Sequence, residues 1–424
     1  MDKRKISTLG LVMVALLLAL TPILGCTALA PLVGKPEKVV IHHFGDLSGP
    51  YAPITMPIVN GFKDFAEWFN TEAGGIDGVP IAGEFRDTGG DSEVALEAYE
   101  AFKASKAYPI INIVYGPAEC ETLSKLYVKD RILCFTNSPT DECIYPPGYT
   151  LSAIPSYADS IGAFIDWVVG DWAKKTGEEV KLAILTWDTD FGMAIMTYEV
   201  REYAAKKGVE IVYEDVFELQ DMNVSTQMAA IKTAGANWVY DNTLAHGPGV
   251  IHKSAAALGM LNQDIYDNTP GMIHRATGPW GMDESVVALA GELVEGMVGP
   301  RSFPSWSMPE VEGVAAAITA FHTHNRKPEE RVMGYLAAWP ELYTICYCMS
   351  EAVEEVGWDQ LSGTTLRDQF LKLKGFSPQE MTKYTFTADK PEPIQTRIFE
   401  VYSGRLLPIT DWVTCPDLRP ASFR

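Results

Sequence analysis

The fold is decided by the stretch Val39–Tyr51, which reads VVIHHFGDLSGPY. The apolar run Val39-Val40-Ile41 is typical of a buried strand, and the Gly, Ser and Pro residues that follow indicate a turn. Apolar side chains then recur at helical spacing from Ile58 to Phe69, and the glycine-rich segment 70–81 reverses the chain into a second strand. The sequence therefore predicts a strand, helix, strand unit whose first loop lies where open α/β sheets bind ligands.

Strand-like and helix-like segments continue to alternate from Val39 to about Gly299, which predicts parallel sheets with helices on both faces. We predict further strands at residues 110–115, 132–136, 180–187, 209–216, 238–241 and 265–268. We predict helices at residues 92–105, 157–175, 193–207, 225–234 and 248–258. Residues 309–373 are predicted to be mainly helical, and residues 384–387 and 396–402 to form strands.

The composition favours a globular protein with more than one core. The chain has 424 residues, of which 47% are hydrophobic and 21% charged, enough for two ordinary domains. Its formal net charge is -21, and no run of Lys and Arg occurs after residue 5, so we exclude nucleic acid as a partner.

The amino terminus is typical of a signal peptide. Lys3, Arg4 and Lys5 precede an apolar run that is too short to span a membrane. The segment 23–26, ILGC, resembles a bacterial lipobox, in which Cys26 is lipidated and anchors the mature protein to a membrane. Cleavage at residues 28–30 without a lipid is the alternative. We therefore predict export, with a signal peptide at residues 1–26 and a tether at residues 27–37.

Six cysteines remain after Cys26, and an exported protein can oxidise an even set. Cys120 with Cys143 is one candidate pair, but connectivity does not follow from the sequence. Cys346 and Cys348 lie two apart in a predicted buried helix and point in different directions, so structural burial is the simpler interpretation.

Several enzyme motifs are absent from the sequence, namely G-x-x-x-x-G-K-[ST], G-x-G-x-x-G, G-x-S-x-G, H-E-x-x-H and C-x-x-C. Their absence disfavours an NTPase, a dehydrogenase, a serine hydrolase and a zinc enzyme. We therefore predict no cofactor, no metal and no catalytic residues.

The opening stretch resembles the amino-terminal signature of the periplasmic branched-chain amino acid binding family, the solute receptors of ABC importers. The resemblance continues at residues 85–91, 113–120, 135–140 and 188–192. It implies two Rossmann-like lobes, each with a parallel central sheet, joined by a hinge of three strands. It also implies a first lobe of residues 38–154 and 302–390, and a second lobe of residues 155–301 and 391–424.

The resemblance also implies a ligand site between the lobes. The family holds a ligand carboxylate with hydroxyls and backbone amides at strand ends, where helix N-termini favour anions. Thr140 is the strongest candidate for such a contact, and Cys120 stands where the family usually has a serine. The predicted ligand-binding residues are Ser48, Tyr51, Tyr115, Ala118, Cys120, Ser138, Thr140, Trp187, Phe191, Thr243, His246 and Pro270.

Pro270 carries a prediction about the ligand. Family members that bind amino acids place an acidic residue after the strand that we assign to residues 265–268, whereas this chain has Pro270 there. An unpaired buried ammonium group costs several kcal/mol. We therefore expect an uncharged, carboxylate-bearing or aromatic solute in place of leucine.

The predicted function is a monomeric extracytoplasmic receptor that captures a small organic solute and delivers it to the permease subunits of an ABC importer. Two alternatives remain at this point. One is a sensory domain that signals without transport, and the other is an enzyme that uses the same cleft.

Overall fold

The computed structural model describes residues 34–105 and 110–423. The predicted signal peptide, Cys26 and most of the tether lie outside the described residues. The model contains two sheets of mainly parallel strands with helices packed against them, which confirms the predicted α/β class.

The first sheet has five parallel strands in the order β2-β1-β3-β4-β5. They are β1 (Val39–Gly45), β2 (Ile81–Asp87), β3 (Ile111–Tyr115), β4 (Leu133–Thr136) and β5 (Thr150–Ser152). The helices between them are α1 (Ala52–Glu72), α2 (Ser92–Ala104), α3 (Pro117–Asp130) and α4 (Asp141–Ile144). The predicted strand, helix, strand unit is therefore confirmed as β1, α1 and β2.

The second sheet has the order β12-β11-β10-β9-β8-β6-β7, with β13 beside β11. Its strands are β6 (Lys181–Trp187), β7 (Glu210–Phe217), β8 (Trp238–Asp241), β9 (His274–Thr277), β10 (Val298–Arg301), β11 (Gln395–Tyr402), β12 (Arg405–Pro408) and β13 (Val413–Thr414). The helices of this part are α5 (Tyr157–Trp167), α6 (Ala173–Thr176), α7 (Asp190–Met193), α8 (Tyr198–Lys207), α9 (Ser225–Thr233), α10 (His246–Ala257) and α11 (Glu284–Ala290). Strands β6 to β10 are parallel, whereas β11 runs antiparallel to both of its neighbours.

Three later helices return to the first sheet. They are α12 (Glu312–Thr323), α13 (Met333–Val356) and α14 (Gly363–Lys372). Helix α13 packs along α1, where a Cβ atom on Gly61 would lie only 2.3 Å from the backbone oxygen of Tyr335. Phe65 of α1 and Trp339 of α13 form an edge-on ring pair at 5.4 Å. Glycine is therefore required at residue 61 for this close helix contact.

The chain crosses between the sheets three times, between β5 and β6, between β10 and α12, and between α14 and β11. The first and third crossings contact each other, because Ser152 N donates to the Pro391 backbone oxygen at 2.8 Å. We call the first sheet with its helices the first lobe, and the second sheet with its helices the second lobe. The sheet membership agrees with the predicted lobe segments, whose exact boundaries stay a prediction.

Two predicted strands are wrong. Residues 265–268 form a turn region, and the strand that adds to the sheet there is β9, nine residues later. Residues 384–387 form only one isolated bridge, between Phe376 and Tyr384. Strands β5, β10, β12 and β13 were not predicted, and the predicted helix at residues 193–207 is split into α7 and α8.

The candidate disulfide is confirmed, since Cys120 is bonded to Cys143 with their Cα atoms 5.5 Å apart. Cys346 and Cys348 are free and buried within α13, as predicted. In the part of the chain that the structure describes, no helix combines the length and the apolarity that crossing a bilayer requires.

Candidate functional site

Five aromatic rings from both lobes meet where the carboxyl ends of the two sheets face each other. We call this group the aromatic centre, and its members are Tyr51, Tyr115, Tyr157, Phe191 and Trp280. The rings of Tyr115 and Trp280 lie 5.3 Å apart, and those of Tyr157 and Phe191 lie 5.0 Å apart. The cavity between them measures about 20 Å³, which is room for about one water molecule. A solute ring therefore fits at this centre only when these side chains, and with them the lobes, move apart.

The lobes are joined at this centre by hydrogen bonds. Trp280 Nε1 of the second lobe donates to the backbone oxygen of Asn137 in the first lobe at 3.2 Å, and the Tyr157 hydroxyl donates to the same oxygen at 3.4 Å. The Tyr51 hydroxyl bonds to the side chain of Thr189, and burial raises the pKa of Tyr51 to about 12. The structure is therefore one in which the two lobes are in contact.

A cavity of about 360 Å³ with acidic walls lies on one side of the aromatic centre. We call it the acidic cavity, and its carboxylates belong to Glu121, Asp141, Glu142 and Asp190. Burial and the neighbouring Glu142 carboxylate raise the pKa of Asp141 to about 7, and burial also raises the pKa of Glu121. No Lys or Arg is among the described residues that line it. This cavity therefore favours a neutral or positively charged group.

A larger groove of about 1070 Å³ also adjoins the centre and, among the described residues, shares no lining residue with the acidic cavity. We call it the apolar groove. Its walls include Pro53 and Met56 of α1, Trp187 at the end of β6, Met222 after β7 and Leu289 of α11. Leu244 and Trp280 line both this groove and the small cavity of the aromatic centre. The two spaces therefore adjoin each other.

The N-terminus of α3, an obvious place for a ligand carboxylate, is already covered by a carboxylate of the chain. A Cβ atom on Gly116 would lie 2.0 Å from Glu119 Oε2, so this acid folds back over the helix start. Glu119 accepts a hydrogen bond from Thr88 Oγ1 at 2.7 Å and another from its own backbone amide. Burial raises the pKa of Glu119. A negatively charged ligand group would meet this resident acid.

Seven of the predicted site residues line the cleft. Tyr51, Tyr115, Ser138 and Phe191 line the aromatic centre. Thr140 lines the acidic cavity, where its hydroxyl donates to Glu121 Oε1 at 2.6 Å. Trp187 and His246 line the apolar groove.

Other predicted residues lie beside the cleft without lining the three spaces described above. Ser48 is exposed, its amide donates to Asp46 Oδ1 at 3.2 Å, and its hydroxyl bonds to Asp87. Ala118 lies in the first turn of α3. Thr243 is buried, and its hydroxyl donates to Asp241 Oδ1 at 2.5 Å.

The prediction that the thiol of Cys120 contacts the ligand is wrong, because this sulfur is bonded to Cys143 and fully buried. The bridge has a different consequence for the site. Cys120 precedes Glu121, and Cys143 follows Glu142, so the disulfide ties together α3 and α4, which carry three of the four carboxylates of the acidic cavity.

The placement of Pro270 in the interlobe cleft is also wrong. Pro270 precedes β9 and lies at the amino ends of the strands, where the backbone of His274 pairs with that of Asn237. The cleft is at the other edge of this sheet, where Trp280 follows β9. The missing acid at residue 270 therefore says nothing about the ligand.

Sequence reasoning missed Tyr157, Asp190 and Trp280. Tyr157 follows the crossing segment 154–156, and Trp280 stands in the Gly-Pro-Trp-Gly turn at residues 278–281. A turn of this kind after a strand indicates a candidate site residue at the end of the sheet, but only once β9 is placed correctly. Among the described residues, no group of three or more His, Cys, Asp or Glu side chains is arranged to hold a metal ion.

Comparison with known proteins supports the geometry. The family model for periplasmic binding proteins matches residues 38–398. A valine-bound branched-chain amino acid ABC transporter protein from Thermus thermophilus has a similar structure, with a TM-score of 0.77, 20% identity, and coverage of 91% of this chain and 98% of that chain. A fatty acid ABC transporter substrate-binding protein from Thermomonospora curvata has a TM-score of 0.72 at 16% identity, with coverage of 92% and 95%.

A solute-binding protein of an ABC transporter from Rhodopseudomonas palustris BisB5, in complex with 3,4-dihydroxybenzoic acid, has a TM-score of 0.71 at 14% identity, with coverage of 91% of this chain and 100% of that chain. No curated protein matches the sequence. At these identities the solved structures support the fold alone. The family model covers most of the chain and therefore shows the family. The protein therefore belongs to the periplasmic binding protein family, whose members bind solutes outside the cytoplasm.

Proposed function

We propose that this protein is the receptor of an ABC importer, which captures an organic solute between its lobes and delivers it to the permease subunits. The observation that carries the proposal is the aromatic centre, formed by residues that end β3 or follow β1, β5, β6 and β9, at the facing ends of two sheets. Parallel sheets bind ligands at this edge, and aromatic walls exclude water from a captured solute. We also propose that the receptor acts as a monomer and that Cys26 carries a lipid anchor.

The contacts between the lobes provide a mechanism for capture. Opening the cleft breaks the bonds from Trp280 to Asn137 and from Tyr51 to Thr189, and exposes the aromatic rings. A solute that touches both lobes binds the closed form more tightly than the open form, and so shifts the population toward closure. The permease would then recognise the closed, loaded receptor.

The electrostatics of the cleft favour a neutral or cationic solute over an anion. Glu119 covers the helix start that a carboxylate would use, and the acidic cavity next to the rings has carboxylate walls. Aromatic faces attract cations as well as other rings. The proposed solute is therefore an aromatic or apolar amine or amide, and free carboxylates and leucine are poor ligands.

A thermal-shift panel tests this class. Benzylamine, benzamide, benzoate and leucine differ in charge and size, and a solute that binds only the folded protein raises its melting temperature. We expect benzylamine and benzamide to raise it and benzoate and leucine to leave it nearly unchanged. If benzoate gave the largest rise in melting temperature, the proposed class of solute would be wrong.

Uptake of a labelled solute that gives a shift tests the importer role. Cells that lack the gene should take up the solute at the background rate, and the purified protein should return it chemically unchanged. Normal uptake without the receptor would contradict import, and conversion of the solute would indicate an enzyme.

A further inference from the structure

We infer that the apolar groove is a second subsite of the same cleft, and that it takes an apolar chain of the captured solute. The inference rests on the proposed function, since it describes how far the solute extends beyond the aromatic centre. It also narrows the solute to an amphiphilic molecule with an aromatic middle and an apolar end.

The first observation is an unusual exposure of large apolar side chains. Met56 is 41% exposed, Met222 is 71% exposed and Leu289 is 45% exposed, and all three line this groove. They come from both lobes, since Met56 belongs to α1 whereas Met222 and Leu289 belong to the second lobe. Exposed apolar side chains that line the same concave site mark a place where an apolar group binds.

The second observation concerns the acidic groups of the groove. Asp283 accepts hydrogen bonds from Ser285 N at 2.8 Å and from Met333 N at 2.6 Å. Glu284 pairs with the buried guanidinium of Arg301 at 3.0 Å. These carboxylates already have partners within the protein. The groove also contains the charged segment Glu329, Glu330 and Arg331, of which Glu330 accepts a hydrogen bond from Asn60 Nδ2 at 2.6 Å. Apart from that segment, the groove offers a solute mainly its apolar walls.

The third observation is that the groove adjoins the aromatic centre. Leu244 and Trp280 belong to the walls of both spaces, so a substituent on a ring held at the centre lies beside the groove. The volume of about 1070 Å³ is of the order found for small-molecule sites. Methionine side chains are flexible and adapt to chains of different length.

A series of para-substituted benzylamines tests the inference. The parent benzylamine, 4-butylbenzylamine and 4-hexylbenzylamine share the ammonium group and the ring and differ only in the chain. The intrinsic tryptophan fluorescence of the purified exported protein, to which Trp187 and Trp280 contribute, reports binding, and calorimetry gives the dissociation constant. We expect the affinity to rise roughly two- to fourfold for each methylene that the groove buries.

Two exposed positions supply variants that should fold normally. Leu289→Glu and Met222→Glu place a charge in the groove, and each should bring the ratio of the affinities for 4-hexylbenzylamine and benzylamine, measured in the same variant, close to one. Leu96→Glu is the matched control, because Leu96 is 40% exposed on α2, away from the cleft. This variant should keep the full chain-length dependence.

The outcomes separate the two proposals. Benzylamine binding with no gain from the chain would overturn the inference and leave the proposed function standing. If the Leu289→Glu and Met222→Glu variants showed the same rise in affinity with alkyl length as the unmodified protein, the alkyl group would bind elsewhere and the inference would be overturned. A failure of the whole series to bind would also overturn it. If the wider panel of solutes failed as well, the proposed function would fall too.

Discussion

Trp280 Nε1 donates a hydrogen bond of 3.2 Å to the backbone oxygen of Asn137, and through it the second lobe contacts the first at the centre of the cleft. The same indole ring packs edge-on against Tyr115 of the first lobe. One side chain therefore forms part of the wall of the site and also one of the contacts that hold the lobes together.

Replacing Trp280 tests both roles. Trp280→Ala removes the ring and the hydrogen bond, so we expect the affinity for a bound aromatic solute to fall at least tenfold. Trp280→Phe keeps an aromatic wall, so its affinity for the solute should fall less. Trp358→Phe is the control, because Trp358 donates its indole N–H to Asp77 at 3.0 Å, outside the three spaces of the cleft. Calorimetry measures the solute affinity of all three variants. An equal loss of affinity in Trp358→Phe would contradict the role assigned to Trp280.

The acidic cavity predicts a pH dependence of binding. Burial, helped by Glu142, raises the pKa of Asp141 to about 7, so this carboxyl group loses its proton as the pH rises from 5.5 to 8. A primary amine stays protonated over this range. The affinity for benzylamine should therefore rise with pH, and the affinity for the neutral benzyl alcohol should stay constant.

The same group predicts the sign of a stability change. Because the folded protein holds this proton more tightly than the unfolded chain, Asp141 stabilises the fold less as the pH rises from about 4 through 7. Asp141→Asn should reduce both the pH dependence of benzylamine affinity and this fall in the free energy of unfolding. An unchanged pH profile in the variant would show that another group is responsible.

A buried charge cluster at the crossing segments predicts a large loss of stability. Lys390 Nζ bonds to Asp159 and lies 4.0 Å from Glu392, and all three side chains are buried. Lys390→Met leaves two buried carboxylates without their cation, so the free energy of unfolding should fall by about 3 to 5 kcal/mol in urea titrations.

An exposed ion pair supplies the control for that cluster. Lys372 pairs with Glu355 at 2.5 Å on the surface of α14 and α13. Lys372→Met should leave the free energy of unfolding nearly unchanged, because exposed ion pairs contribute little. Comparable losses in the two variants would contradict the account of the buried cluster.

The disulfide predicts a coupled loss of stability and affinity. Cys120 and Cys143 are 23 residues apart, and a bridge over a loop of this length stabilises a fold by about 3 kcal/mol. Replacing both by alanine should lower the melting temperature and weaken benzylamine binding, because α3 and α4 carry the acidic walls. Reductant should lower the melting temperature of the unmodified protein and have no effect on the double variant.

The local parts of the fold could be predicted from the sequence, because apolar periodicity and turn residues specify β1, α1 and β2. Strand β9 could not, since its residues are His274, Arg275, Ala276 and Thr277, which read as polar. Arg275 is buried because its guanidinium donates to the backbone oxygens of Asn262 and Glu295, a compensation that hydropathy does not reveal.

The rings of the aromatic centre that sequence reasoning missed both belong to the second lobe. Tyr51, Tyr115, Ser138 and Thr140 follow recognisable turns and strand ends, and they line the cleft. Tyr157 and Trp280 depend on how the lobes meet, which no local pattern specifies. Cys120 stands at a family contact position, but its sulfur is committed to a bond that the sequence alone could not assign.

The most direct test of the central claim is a crystal structure of the protein grown with the solute that gives the largest thermal shift. We predict that the solute lies between the lobes, with its ring against Phe191 and Trp280 and its apolar end toward Met222. A solute bound to one lobe alone, or outside the cleft, would contradict the account.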